Sequence, residues 1–353
     1  MVKWSESMGQ DFEYYTVDPN TWKDVKLLDT VKSCTINNDD EVETLGSASI
    51  DIDEMVGECY IRVYLITIQN GVREKHPLGT FLVQTPSSSF DGKVRSVSMD
   101  AYTPLIELKE SDDVPLGYAL LKDDNIMDEA YVIVREHCRA PVIKTSSDKT
   151  LTSNFVSNTE DKWLSFTTDL LGMANYRFGL DELGRIIFKP IQKTEQLQPV
   201  YTFDDDNSSI LHPELTLKHD IYGIPNVVEI ICSTGTELHY SRVVNDDPNS
   251  PTSTIRRGRE IVYRVTNPNL PAYPTKDQID EYAENTLKSL SSVEYTVTYT
   301  HGYCPVRIGD CVRLNYKKAG LVDVKAKVIS QSIKCEPGCP VSETAVFTTN
   351  LWK

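Results

Sequence analysis

Between residues 46 and 102 the chain alternates apolar and polar side chains in four short runs. Residues 47–53 set Ala48, Ile50 and Ile52 against Ser49, Asp51 and Asp53. Residues 60–68 group Ile61, Val63 and Leu65; residues 78–85 group Phe81 and Val83; the last run groups Val97, Met99 and Ala101. Alternation with period two places one set of side chains on a buried face. Asn70-Gly71 and Asp91-Gly92 separate the runs, and such dipeptides favour tight reversals whose central residues take positive φ. The pattern predicts an antiparallel meander with one buried face. It contains no nucleophile, ligand cluster or phosphate loop.

Ahead of it, residues 2–20 mix charged and aromatic side chains and end at an Asp18-Pro19-Asn20 turn. Residues 25–37 add one or two strands that would close the first region into a small barrel or sandwich, removing free edges. Residues 103–114 read as a short helical exit and an acidic linker. A helix is predicted from about Asp124 to Arg139, capped by Asp123 or Asp124, with Ile126, Ala130, Ile133 and Val134 as its stripe and Ala140-Pro141 as its stop. A second starts near Asn158, a good cap residue with Asp161 three positions on. Trp163, Phe166, Leu170, Leu171 and Ala174 share its apolar side, and Gly172 weakens its end. Residues 176–178 and 185–188 flank Asp181-Glu182-Leu183-Gly184 as a hairpin ended by Pro190.

Short strands return at 200–203, 215–217 and 227–231, with turns at 204–209 and 220–226. Residues 233–274 are polar and predict one strand, 260–265. Thr275 and Gln278 form a capping box for a helix whose buried side carries Ile279, Tyr282, Ala283, Thr286, Leu287 and Leu290. The remainder is β again: Tyr295, Val297 and Tyr299; Val312, Leu314 and Tyr316 after Gly309-Asp310; Val322, Val324, Ala326 and Val328; then 345–349. The fold class is mainly β with α+β: two small antiparallel β-barrel domains flanking a mixed α+β domain.

The length of 353 residues exceeds what one small core needs. Apolar content of 40 % with 25 % charged residues belongs to a folded chain rather than a disordered one. A net charge of −16 argues against broad binding to nucleic acid or an anionic membrane. No apolar run approaches a membrane span, and residues 1–10 lack a signal peptide's hydrophobic core, so synthesis and assembly in a cytoplasm are expected. The eight cysteines form no disulfide framework by spacing.

Several stretches resemble the tail hub (baseplate hub, tail-lysin base or late-control-type) proteins of tailed bacteriophages. They are Pro77-Leu78-Gly79-Thr80-Phe81-Leu82-Val83 with Thr85-Pro86-Ser87, Ala101-Tyr102, the helix and hairpin of 163–190, and 209–213. Residues 220–228 (DIYGIPNVV), 245–259 (NDDPNSPTSTIRRGR), 309–316 (GDCVRLNY) and Leu351-Trp352 complete the set. The resemblance implies a homotrimer that presents six barrels in a ring, matching a hexameric tail tube above and a threefold spike or fibre below. It implies domains at 1–110, at 111–199 plus 233–297, and at 200–232 plus 298–353, the last discontinuous. Implied partners are the tail tube protein, a distal tail protein, and a tail spike, fibre or tape-measure protein. Genomic DNA would pass through the lumen without specific binding, no membrane insertion is implied, and the place is the virion tail tip. Any wall-degrading activity would belong to another chain.

Candidate sites are few, and the chain reads as a non-enzyme with no catalytic residue, metal or cofactor assigned. Cys304, Cys311, Cys335 and Cys339 supply four sulfurs for zinc or an iron–sulfur cluster, but not at Cys-x-x-Cys spacing, so buried apolar thiols are the competing reading. Asp204-Asp205-Asp206-Asn207 lacks the spacing and glycine of a calcium loop and reads as a turn. His76, His137, His212, His219, His239 and His301 show no ligand spacing. Arg256-Arg257-Gly258-Arg259 is the one dense basic cluster, read as a docking site for an acidic neighbour or as a solvated loop. Two alternatives remain: another tail-tip or baseplate component, distal tail or wedge protein, and a β-rich polysaccharide-binding protein stacking sugars on Trp22, Tyr60, Tyr64 and Trp163.

Overall fold

The structure is a computed structural model. It describes every residue except Met1, Met55, Asp91, Lys93, Val94, Asn207, Ser208, Gly235, Thr236, Asn267, Ala272 and Lys353. Asp91 of the expected second reversal, and Asn207 of the acidic turn, lie outside the described residues.

The chain opens with β1 (Gly9–Val17), β2 (Asp24–Leu27), β3 (Val31–Asp39), β4 (Gly46–Ile52), β5 (Tyr60–Gln69), β6 (Val72–Phe90) and β7 (Arg95–Tyr102). A mixed stretch follows: α1 (Ile106–Glu110), β8 (Ala119–Leu120), α2 (Ile126–His137), β9 (Phe155–Val156), α3 (Trp163–Met173), β10 (Tyr176–Leu180) and β11 (Ile186–Pro190). Then come β12 (Pro199–Asp204), β13 (Leu211–His219), β14 (Val227–Thr234), β15 (Glu237–Val244), α4 (Thr254–Arg257), β16 (Val262–Val265) and α5 (Lys276–Leu290). The chain closes with β17 (Ser292–Gly302), β18 (Cys311–Asn315), β19 (Val324–Lys334) and β20 (Pro340–Asn350). The protein is mainly β, with large antiparallel sheets. No helix among the described residues is long and apolar enough to cross a membrane. The chain divides into two compact units, Met1–Leu215 with Tyr299–Thr344, and Thr216–Thr298 with Ala345–Lys353.

In the first unit the strand order is β19-β3-β4-β7-β6-β5-β1-β2, with β18 antiparallel beside β19 and β12 parallel beside β18. The reversal between β5 and β6 is as expected, Asn70 and Gly71 holding φ of 52° and 78°. The meander holds for β5, β6 and β7, but β4 pairs with β7 and not with β5. The cause is β1, a strand the alternation did not announce, which pairs with β5 from Gly9↔Ile68 to Val17↔Tyr60 and so occupies that edge. The ladder ends at β2 without closing on itself among the described residues.

Two apolar clusters in this unit bear on the site. One gathers Ile36, Ile50, Ile61, Val63, Phe81 and Met99 with Ile333 and Val341 from the carboxyl-terminal strands. The other packs Met127 and Ile133 of α2, Phe166 and Leu170 of α3 and Ile186 of β11 around Tyr60 and Leu82. Asn125 caps α2, accepting from Met127 N at 3.0 Å and Asp128 N at 3.1 Å. The expected cap Asp124 instead accepts from Leu121 N at 2.7 Å in the preceding turn. α3 begins at Trp163, five residues later than expected, because the Asn158 N–H closes its own turn onto Asp161 Oδ2 at 2.7 Å.

In the second unit β14 lies between antiparallel β15 and parallel β16. α5 lays Ile279, Ala283 and Leu287 on Val228 and Ile230, with Trp352 against the same cluster. Its capping box is present as expected: Thr275 Oγ1 accepts from Gln278 N at 3.3 Å, and Gln278 Oε1 accepts from Thr275 N at 2.9 Å. Tyr295 stacks between His219 and Phe347, with ring centroids at 4.7 and 5.1 Å.

Candidate functional site

The β10–β11 hairpin is fastened through its turn in the first unit. The Leu183 carbonyl accepts from Trp22 Nε1 at 2.8 Å, Thr80 Oγ1 at 2.8 Å and Arg62 Nη2 at 3.2 Å. Arg62 is buried, and a buried guanidinium requires a full set of acceptors. It finds Thr80 Oγ1 at 2.8 Å, Trp22 O at 3.3 Å and Asp24 Oδ1 at 2.9 Å. Asp24 also accepts from Tyr64 OH at 2.8 Å. Burial, then this carboxylate, pushes the Tyr64 phenol up to about 12. Gly184 completes the turn at φ 72°, where an added Cβ would lie 2.6 Å from Thr80 Cβ. Thr80 belongs to the Pro77–Val83 stretch, so two of the stretches that carry the resemblance meet here. Neither alternation nor helical spacing could have signalled the joint.

Beside it runs a cleft lined by Asp40, Arg177, Glu182, Lys189 and Arg307. Arg177 and Lys327 both pair with Asp40, and Arg307 pairs with Glu182. Burial lowers the Lys189 ammonium from its ordinary value and raises the Asp310 carboxyl. These paired charges tie β10 and its turn, and the residue after β3, to one another and to Arg307 and Lys327 of the carboxyl-terminal region.

The second unit contains an interlock between 220–228 and 245–259. The Asn226 amide donates to Thr252 O at 3.1 Å and Arg259 O at 3.0 Å, and its Oδ1 accepts from Ile261 N at 2.7 Å. Asn245 Nδ2 donates to Ser250 Oγ at 2.9 Å. Arg257 reaches back to Ile224 O at 2.7 Å and Ile221 O at 2.6 Å, and Arg256 Nε donates to Pro248 O at 2.8 Å. Burial lowers the Arg257 guanidinium from its ordinary value. The basic cluster is therefore tied down in part within its own unit rather than wholly solvated. Two of its arginines cap carbonyls of the same unit, and Arg259 is exposed.

The four carboxyl-terminal cysteines are not brought to one point. Cys304 lies against His301 Nδ1 at 3.9 Å, Cys311 Sγ faces the Val312 carbonyl at 3.7 Å, and the Cys335 N–H bonds Cys34 O at 2.9 Å. Among the described residues no group of three or more His, Cys, Asp or Glu is arranged to hold a metal ion. An acid–base constellation does exist, in which Glu343 accepts from Tyr299 OH at 2.6 Å and Gln331 Nε2 at 2.5 Å and lies 3.2 Å from His301 Nε2. Glu343 and His301 have no exposed surface, so this group stands as a buried network out of reach of a substrate. Trp22, Tyr60, Tyr64 and Trp163 are 8, 1, 7 and 5 % exposed, which leaves no ring face for a sugar. Asp204 accepts from Asn315 Nδ2 at 2.9 Å, pinning β12 to β18 rather than forming a calcium loop.

No family model matches the sequence, and no curated protein matches it. Solved structures do share its fold from end to end. A tail protein of Neisseria meningitidis MC58 is 12 % identical with a TM-score of 0.58, over 97 % of this chain and 98 % of that one. The 43 kDa tail protein of prophage MuSo2 from Shewanella oneidensis is 9 % identical with a TM-score of 0.60, over 96 % of each chain. A chain of the Francisella PdpA–VgrG complex is 9 % identical with a TM-score of 0.53, over 98 % of this chain and 53 % of that one. The chain thus has the fold of phage and prophage tail proteins.

Proposed function

We propose that the protein is a structural component of a phage tail, a hub at the tail tip or baseplate. Three copies would form a pseudo-sixfold ring that joins a hexameric tube to a threefold spike or fibre. The observation that carries this reading is the end-to-end likeness in fold to two tail proteins of nearly equal length. The β3–β19 ladder supports it, since it sets amino- and carboxyl-terminal strands side by side and three copies would then offer six β regions. In the proposed hub these regions curl into the small barrels of 1–110 and of 200–232 plus 298–353, held by the mixed domain of 111–199 plus 233–297. Tube, distal tail and spike proteins are its partners, and the net charge of −16 suits a lumen through which DNA slides. Single-particle images of the isolated protein, with its copy number in a purified particle, test the reading. Three copies about a threefold axis are expected. A stable monomer that never forms a threefold particle overturns it, and six copies would assign a distal tail or wedge role instead.

A further inference from the structure

We propose that Cys34 and Cys335 are a cross-strand disulfide site, closing when the protein meets an oxidising medium and tying β3 to the end of β19. The ladder pairs Ile36 with Ile333 and Thr35 with Lys334, which makes Cys34 and Cys335 the next opposed residues. The Cys335 N–H donates to Cys34 O at 2.9 Å, so the pairing continues through them. Opposed residues joined by such a bond hold their Cα atoms about 5.5 Å apart and project to the same face. A disulfide spans Cα separations of about 4.4–6.8 Å. Both side chains enter one apolar cluster, and both thiols are free. Backbone movement is therefore not needed to form the bond.

Cys335 is half-buried and Cys34 buried, which fixes the order of events. With oxidised glutathione as oxidant, the Cys335 thiolate attacks one sulfur, expelling a glutathione thiolate and leaving a mixed disulfide. Cys34 then loses its proton to solvent and displaces the second glutathione thiolate. Two protein thiols become one disulfide, and one external disulfide becomes two thiols. The neighbouring Cys335 thiol, and burial, hold the Cys34 thiol well above the usual range, so the second step should quicken with rising pH. Cys339 is the competitor, four residues on and buried, with burial pushing its thiol up. The inference stands on strand register and holds whatever role the chain has in a tail.

The test incubates reduced full-length protein with oxidised glutathione at about pH 8.5, near the ordinary thiol value, and maps unreduced peptides by mass spectrometry. Wild type and Cys339→Ser should both lose two thiols and yield an intrachain Cys34–Cys335 peptide. The double variant Cys34→Ser, Cys339→Ser should stop at a glutathione adduct on Cys335. Oxidation should also raise the thermal midpoint of wild type, and dithiothreitol should reverse the rise. A Cys335–Cys339 peptide as the sole product, an unresolved adduct in wild type, or retention of all eight thiols overturns the proposal.

Discussion

Arg62 shows how one buried charge can organise a joint. Arg62 is 3 % exposed, and its guanidinium bonds two main-chain carbonyls, a hydroxyl and one carboxylate, Asp24. Removing the partner of a buried charge costs more than the pair contributes, because the stranded charge keeps its desolvation penalty. Asp24→Ala should therefore lower stability by about 2–3 kcal/mol, less than for a fully buried pair since Asp24 is partly exposed; urea unfolding at neutral pH measures it, and a change within error would show that the carbonyls and the Thr80 hydroxyl satisfy Arg62 without the carboxylate. Glu13 sits on the same sheet face, and its contribution depends on pH. Burial tends to raise its carboxyl, but the Tyr15 hydroxyl, Arg73 and Lys75 together hold it below its ordinary 4.5. A carboxyl depressed in the fold contributes stability above its unfolded value and loses that contribution as pH falls through its folded value. Glu13→Gln should thus cost about 0.5–1 kcal/mol at pH 7 after solvent screening, and almost nothing below the folded value. Parallel unfolding curves at the two pH values would reveal the convergence. A constant difference would mean that packing, not charge, carries the effect.

Among the elements, the β10–β11 turn depends on one position. Gly184 holds positive φ with Thr80 Cβ where its own Cβ would be, so Gly184→Ala meets backbone strain of about 1–2 kcal/mol as well as a clash at 2.6 Å. The turn should lift from Thr80, and the Leu183 carbonyl should lose its donors. Faster amide exchange along β10 and β11, with β5–β7 unchanged, is the expected reading; unchanged hairpin protection would relocate the fastening elsewhere. Elements were legible where the local code was complete. α5 was readable because Thr275 and Gln278 bracket a regular apolar stripe, and the hairpin because a glycine turn divides two apolar runs. β15 was hidden because its inward side carries Ser241, which is buried but bonded to Asp280 Oδ1 at 2.5 Å, so polarity did not report burial. β1 was hidden because tyrosines serve both of its faces. The pairing of β4 with β7 is not local at all, since it depends on β1 occupying the β5 edge. The same holds for the joint at Leu183 and the interlock at Asn226: their residues stood out in the sequence, but the partners lie tens of residues away and only the fold brings them together.

At the scale of the molecule, the first β region does not own its whole core. Ile333, Val341 and Cys339, all from the last strands and the turn between them, are buried against Ile36, Ile50 and Phe81. Burying Ile333 and Val341 contributes about 1.5–3 kcal/mol each, a large share of what a small domain retains as net stability. The pairing of β3 with β19 also covers an edge that would otherwise offer free N–H and C=O groups to other chains. A fragment of residues 1–110 is therefore expected to aggregate or to unfold without a sharp transition, although it holds all seven strands from β1 to β7. Adding residues 299–353 in trans should recover part of the cooperativity, because the missing strands then return to β3. Gel filtration and thermal denaturation of the fragment decide this: a soluble monomer with a sharp transition would make the amino-terminal region a self-sufficient module. Interdependence would instead mean that the strands of 1–110 and those of 299–344 fold as one piece within the first unit, which is the property that the proposed ring of three copies would draw on.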